Sequence, residues 1–125
     1  MIYRDYSNPK GQARLDFQYE HSCRVLKPYP NAHVIRATSM DALSEFEDGS
    51  LDFVYIDANH DYEHVKEDIR IWYEHVRVGG VIGGHDFNWH EDGVMKAVTE
   101  FVASTNLHLN VVYPDWWVVR EQDGQ

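Results

Sequence analysis

The sequence is short of cysteine, of positive charge and of long apolar runs, and each shortage removes a class of protein. A single cysteine, Cys23, among 125 residues allows no intrachain disulfide and no cysteine-rich zinc site. Lys and Arg number 11 against 21 Asp and Glu, a net charge of −10 with His neutral. Such a surface does not suit a phosphate backbone, so no nucleic-acid partner is expected. No stretch approaches ~18 apolar residues, which excludes a helical membrane span. Met1-Ile2-Tyr3-Arg4-Asp5 carries no apolar core of a signal peptide, and the expected location is a reducing, cytoplasmic one. Internal repeats and low-complexity segments are absent as well.

What remains is a globular composition, 43% hydrophobic and 14% aromatic, in a chain long enough for one domain. Ser7-Asn8-Pro9 is a helix-start signal, a capping side chain followed by Pro at the first helical position. It predicts a modestly amphipathic helix over 9–27, stopped by Pro28-Tyr29-Pro30. Residues 32–37 read as a short strand, and Thr38-Ser39-Met40-Asp41 as the capping box of a short helix. Asp48-Gly49-Ser50 is a turn, and 51–57 is the clearest strand, ending on Asp57. Tyr62, Val65, Ile69, Trp72 and Val76 recur at spacings of three and four and mark one face of a helix. Gly79-Gly80 breaks the chain before a Gly-rich strand over 81–87. A helix over 92–104 follows, with Val94, Ala97, Val98, Phe101 and Val102 on one face. Two closing strands, 108–113 and 116–120, flank Pro114-Asp115 as a hairpin. Strands alternating with helices imply βαβ units and a mainly parallel sheet covered on both faces.

In open α/β sheets ligands bind beyond the carboxyl ends of the strands. Three predicted strand ends are polar: Thr38-Ser39-Met40, Asp57-Ala58-Asn59-His60 and His85-Asp86-Phe87-Asn88. Each set alone reads equally as a turn or helix cap. Parallel strands bring all three to one edge of the sheet, and that convergence is what points to a site.

The run from Asp52 to Glu63, with Asp68, Trp72, Gly79-Gly80-Val81-Ile82-Gly83-Gly84-His85-Asp86-Phe87 and Gly93-Val94-Met95-Lys96-Ala97-Val98, resembles methyltransferase family 24, a class I S-adenosylmethionine (SAM) dependent family. The resemblance is carried by a strand ending in Asp, a nearby His-x-Tyr, an amphipathic helix, a Gly-Gly pair and a strand ending Gly-His-Asp-aromatic. It implies an α/β Rossmann-like three-layer sandwich and methyl transfer from SAM to a small-molecule oxygen or nitrogen. A complete member also has two earlier strands, a Gly-rich cofactor loop and an acidic residue for the ribose, in a sheet of order 3-2-1-4-5-7-6. None of these is identifiable in this sequence, where Gly11 stands alone. The expectation is therefore a fold lacking its first two strands, weak SAM binding, and a homo-oligomer that repairs the gap in the sheet. The competing expectation is a catalytically inactive remnant serving as a binding or oligomerisation module.

Site residues follow from the same resemblance, each with a plainer alternative. Ser39 and Met40 match positions that contact the adenine, and otherwise read as a helix cap and a core Met. Asp57 and His60 fall with them on the cofactor side. In related cation-dependent O-methyltransferases the positions of Asp57 and Asp86 hold a divalent metal, and otherwise they cap the segments that follow. The usual third ligand, an Asn, is replaced here by Phe87, and His60, His85 or His90 would take its place and favour a transition metal. His85 is the candidate general base on a substrate hydroxyl, and otherwise a hydrogen-bonded structural residue. Tyr62 and Trp72 share the helix stripe and read as core, and one of Trp116 and Trp117 faces away from it.

Overall fold

A computed structural model describes residues 9–90 and 92–123, so the Ser7-Asn8 capping signal lies outside the described residues. The chain divides into two compact units, residues 1–38 and 39–125. In the first, α1 (Pro9–Leu26) begins at the Pro that the sequence places at a first helical position. Arg36 pairs with Asp16 and lies over the Tyr19 ring, 5.0 Å from its centroid. Residues 32–36 form no strand. Their alternation of apolar and polar side chains suits a strand, but a strand exists only through a ladder with a neighbour. No strand from this segment joins the sheet.

The second unit opens with a short helix α2 (Ser39–Ala42) and a 3₁₀ turn over Leu43–Glu45. It continues through β1 (Leu51–Ile56), α3 (Tyr62–Tyr73), β2 (Val76–Gly84), α4 (Asp92–Thr105), β3 (Asn110–Val112) and β4 (Asp115–Val119). The sheet runs β1-β2-β4-β3, which corresponds to the 4-5-7-6 part of the expected order. β1 and β2 are parallel, and the other two pairings are antiparallel. The sheet is thus mixed where a mainly parallel one was expected, because no strand from 32–37 is there to extend the parallel side. The hairpin contributes an inner strand, β4, as well as the edge strand β3.

Register explains the core. Val54, Ile82 and Val118 stand in one row across the sheet, and Ile56, Gly84 and Trp116 in the next. Their face meets Val65 and Ile69 of α3 and Val94, Ala97 and Val98 of α4, all buried. This is the pair of stripes that the helical spacings mark. The last residue of the α3 stripe, Val76, belongs instead to β2. Arg120 draws that junction tight: its Nη1 donates to the carbonyls of Tyr73, Glu74 and Val76 at 2.8–3.0 Å. On the opposite face of the sheet Phe53, Tyr55 and Val119 are exposed.

Gly79-Gly80 does not end the strand but bulges it. Pairing jumps from Leu51↔Val76 to Phe53↔Val81, and Gly79 sits at φ +82, where L side chains are strained. A Cβ on Gly80 would come within 2.9 Å of the Asp52 carbonyl oxygen. The two glycines thus let β2 start five residues earlier than expected and still re-enter register beside β1.

Asp68, on the inner side of α3, is the one buried ionisable side chain among the described residues. Burial raises its pKa, and a hydrogen bond from Ser39 only partly opposes this. A carboxyl whose folded pKa exceeds its unfolded value stabilises the fold fully below that unfolded value, near 3.9, and loses the contribution as pH rises through the folded value. Asp68→Asn removes the buried charge and keeps an acceptor for Ser39. The variant is expected to melt higher than the parent at pH 7, by on the order of 1 kcal/mol, with the gap closing towards pH 4. A gap that is constant with pH would show that the carboxylate's charge is not what differs.

Candidate functional site

Because β1 and β2 are adjacent and parallel, their last residues point the same way. Asp57 directly follows β1, and His85-Asp86 directly follows β2. The His85 backbone N–H donates to the Ile56 carbonyl at 3.1 Å, which carries the ladder one step past the strand and fixes where the polar residues begin. His60 reaches the same place from the loop between β1 and α3. Its loop is held by close approach of α4: a Cβ on Gly93 would lie 2.8 Å from the His60 carbonyl oxygen and 2.9 Å from the Tyr62 nitrogen.

Asp86 is the hub. Its side chain is only 15% exposed, and each oxygen meets a different imidazole: Oδ2 lies 2.6 Å from His60 Nε2, and Oδ1 3.0 Å from His85 Nδ1. A carboxylate only accepts, so both ring nitrogens carry the hydrogen. That leaves His85 Nε2 with the lone pair when the ring is neutral. The Asp86 bond raises the His85 pKa, with Asp57 and Asp115 adding smaller attraction. Asp57, His60 and Asp86 each offer a ligand atom, all within 4.8 Å of one another. They border a cavity of about 10 Å³, also lined by His85, Val94 and Trp116.

Of the residues singled out from the sequence, Asp57, His60, His85 and Asp86 come together here. Ser39 and Met40 do not line this cavity. Ser39 hydrogen-bonds Asp68, and Met40 is half exposed. Phe87, where the related cation-dependent O-methyltransferases carry an Asn, packs against the core. His90 is exposed and outside the cluster. Tyr62 and Trp72 pack on the core, Trp116 is buried, and Trp117 is half-buried.

The sequence reading missed Tyr55 and Asp115. The Tyr55 hydroxyl donates to Asp115 Oδ1 at 2.5 Å, and this bond, with Asp57 and Asp86 nearby, pushes the phenol up to about 12. Tyr55 stands two residues before Asp57, on the same side of the strand, which is the one signal available in the sequence. Its partner is 60 residues away and meets it only through the β2–β4 pairing.

An α/β sheet with carboxylates and imidazoles gathered beyond the ends of two adjacent parallel strands defines a Rossmann-like protein, with its polar cluster at the edge where open α/β sheets bind ligands. The family model for methyltransferase family 24, a methyltransferase domain, matches residues 8–87, and the chain belongs to that family. Among solved structures it is similar to the O-methyltransferase NovP, with 19% identity and a TM-score of 0.64, over 82% of this chain and 45% of that one. It is also similar to a Corynebacterium glutamicum protein solved by structural genomics, with 12% identity and a TM-score of 0.60, over 94% of this chain and 59% of that one. At these identities the likeness is one of fold, and the chain spans about half the length of either structure. A comparison with curated proteins finds no match. Among the described residues no helix is long and apolar enough to cross a membrane.

Proposed function

We propose that this chain provides the acceptor side of a SAM-dependent methyltransferase, acting on a hydroxyl oxygen or an amine nitrogen of a small molecule. The observation that carries the reading is the Asp86 carboxylate fixing two imidazoles beside Asp57 at the ends of β1 and β2. Methyl transfer by direct displacement needs alignment of donor and acceptor and removal of the acceptor proton. His85 suits the removal of that proton, since Asp86 fixes the ring through Nδ1 and neutral Nε2 is left to accept it. Because the His85 pKa is raised, the neutral base becomes abundant only above its ordinary range, and turnover should rise with pH there.

A divalent cation fits the cluster. Asp57, His60 and Asp86 present two oxygens and one nitrogen around a space of about 10 Å³, roughly that of one water-sized sphere. Asp57 and Asp86 would hold the ion, which when bound supplies Lewis acidity toward an acceptor oxygen. The fit to SAM is poorer. A nucleoside-sized ligand takes roughly 300–1,000 Å³, far more than the space here, and Ser39 is engaged by Asp68. The cavity at Asp57 and Asp86 does not by itself form a SAM cradle.

A methyl-transfer assay on the 125-residue protein tests the reading, with labelled SAM at millimolar concentration and a panel of small phenols, alcohols and amines. The expected result is slow turnover of at least one acceptor, with SAM bound more weakly than about 100 µM. His85→Ala should lower that turnover about 100-fold or more. Turnover unchanged in His85→Ala would remove the base assignment, and SAM bound at low micromolar concentration would reveal a cradle beyond the small cavity at Asp57 and Asp86.

Absence of turnover with every acceptor would favour a second reading, a non-catalytic module that self-associates. One observation supports that reading: among the described residues, β1 has a strand partner on one side only. An open strand edge carries unpaired backbone groups and invites pairing with another chain. Sedimentation equilibrium would then give a mass above the 14.7 kDa of one chain.

A further inference from the structure

We infer that the ion taken by this cluster is a first-row transition ion of the zinc type, with His60 as third ligand, and not magnesium or calcium. The inference rests on the reading that the site binds a cation at all. Magnesium and calcium select oxygen: calcium takes six to eight oxygen ligands, and magnesium completes a near-octahedral set around one or two carboxylates with water, so neither gains from an imidazole nitrogen. The side-chain oxygens that the cluster itself offers are those of two carboxylates. Asn59 Oδ1 accepts from the Asp61 backbone at 2.8 Å, and Asn88 Oδ1 from the His90 backbone at 2.9 Å. Position 87, where the related cation-dependent O-methyltransferases carry an Asn, is a Phe packed on the core. The third donor that the fold delivers is an imidazole nitrogen, His60 Nε2, within 4.8 Å of both carboxylates.

Imidazole nitrogen with carboxylate oxygen suits zinc, cobalt, nickel and iron, for which nitrogen donors are strongly preferred over further water. The surroundings support such a centre. His85 Nδ1 holds the second oxygen of Asp86 at 3.0 Å, the kind of outer hydrogen bond that orients a ligating carboxylate. His60 Nε2 and Asp86 Oδ2, at 2.6 Å, stand closer than two ligands of one ion. They need to part by only a fraction of an ångström for an ion to replace the shared hydrogen, and the cavity beside them gives that room.

The test uses the metal-stripped 125-residue protein titrated separately with Zn²⁺, Co²⁺ and Mg²⁺, followed by calorimetry and by the visible absorption of bound Co²⁺. Zinc ordinarily outcompetes magnesium at any mixed site, so the His60 variants carry the decision. Zn²⁺ and Co²⁺ are expected to bind, with Co²⁺ absorption characteristic of nitrogen ligation. His60→Ala should weaken Co²⁺ by about 10-fold or more and change its spectrum, with Mg²⁺ affinity unchanged. His60→Asp, which exchanges nitrogen for oxygen, should narrow the preference for Co²⁺ over Mg²⁺. His90→Ala should change neither. Co²⁺ affinity and spectrum unaltered in His60→Ala but lost in Asp57→Ala would overturn the inference and leave a cation held by carboxylates alone. Failure of all three ions to bind the parent protein would overturn the cation reading together with it.

Discussion

Trp116→Ala is expected to cost about 3–5 kcal/mol, the usual range for deleting a buried large aromatic. Against a net stability of about 5–15 kcal/mol for a domain, that removes between a fifth and all of it. Trp116 is 1% exposed and the largest fully buried side chain among the described residues. It stands on β4 opposite Gly84 of β2, and its indole occupies the space a side chain there would need: a Cβ on Gly84 would lie 2.9 Å from Nε1. The indole also forms part of the lining of the small cavity at Asp57 and Asp86. Truncation therefore opens a void between the central strands and directly beneath the site, where the backbones of β2 and β4 cannot close in without breaking their ladder. Urea unfolding followed by far-ultraviolet circular dichroism measures the loss. Trp116→Phe keeps most of the volume and should lose much less. A loss under about 1 kcal/mol for the Ala variant would mean that the core does not depend on this row of the sheet.

Asp86→Ala should have the largest effect on the site, because one carboxylate serves both imidazoles and is a candidate ligand. For the parent protein, an ion present at 100 times its dissociation constant stabilises the fold by about 2.7 kcal/mol. That metal-dependent rise in melting temperature should vanish in Asp86→Ala, and in Asp57→Ala as well. A shift that survives in both variants would place the ion elsewhere. The same replacement removes the main cause of the raised His85 pKa, so the His85 ring should titrate at a lower pH in the metal-free variant. The sign of the stability effect follows. A His whose folded pKa is raised contributes stability that is complete below its unfolded value, near 6.5, and is lost as pH rises through the folded value. Asp86→Ala should accordingly destabilise the protein more at pH 5–6 than at pH 8. Proton NMR of the imidazole resonances against pH separates this electrostatic role from simple loss of packing, which would not move the His85 titration.

The sequence by itself determined the elements whose signal is local. The spacing of Val65 and Ile69, and of Val94, Ala97 and Val98, marked the buried faces of α3 and α4, since helical period alone decides which side chains share a face. The apolar run from Leu51 to Ile56, closed by Asp57, marked a strand and the edge of the sheet where the polar cluster gathers. The alternation of strands with helices then brought Asp57 and His85-Asp86 to one edge, because adjacent parallel strands end together. What only the tertiary structure decided depends on partners distant in the chain. Residues 32–37 carry a strand pattern without forming a strand, since extended backbone is stabilised by a neighbour and not by its own sequence. Gly79-Gly80 reads as a break and proves to be a bulge, because its cost is met by register with β1 and by the Arg120 backbone. The pairing of His60 with Asp86, of Tyr55 with Asp115 and of Ser39 with Asp68 spans 26 to 60 residues of sequence. Such contacts are set by loop paths and strand order, in which a single close approach, such as Gly93 against the His60 loop, decides which side chains meet.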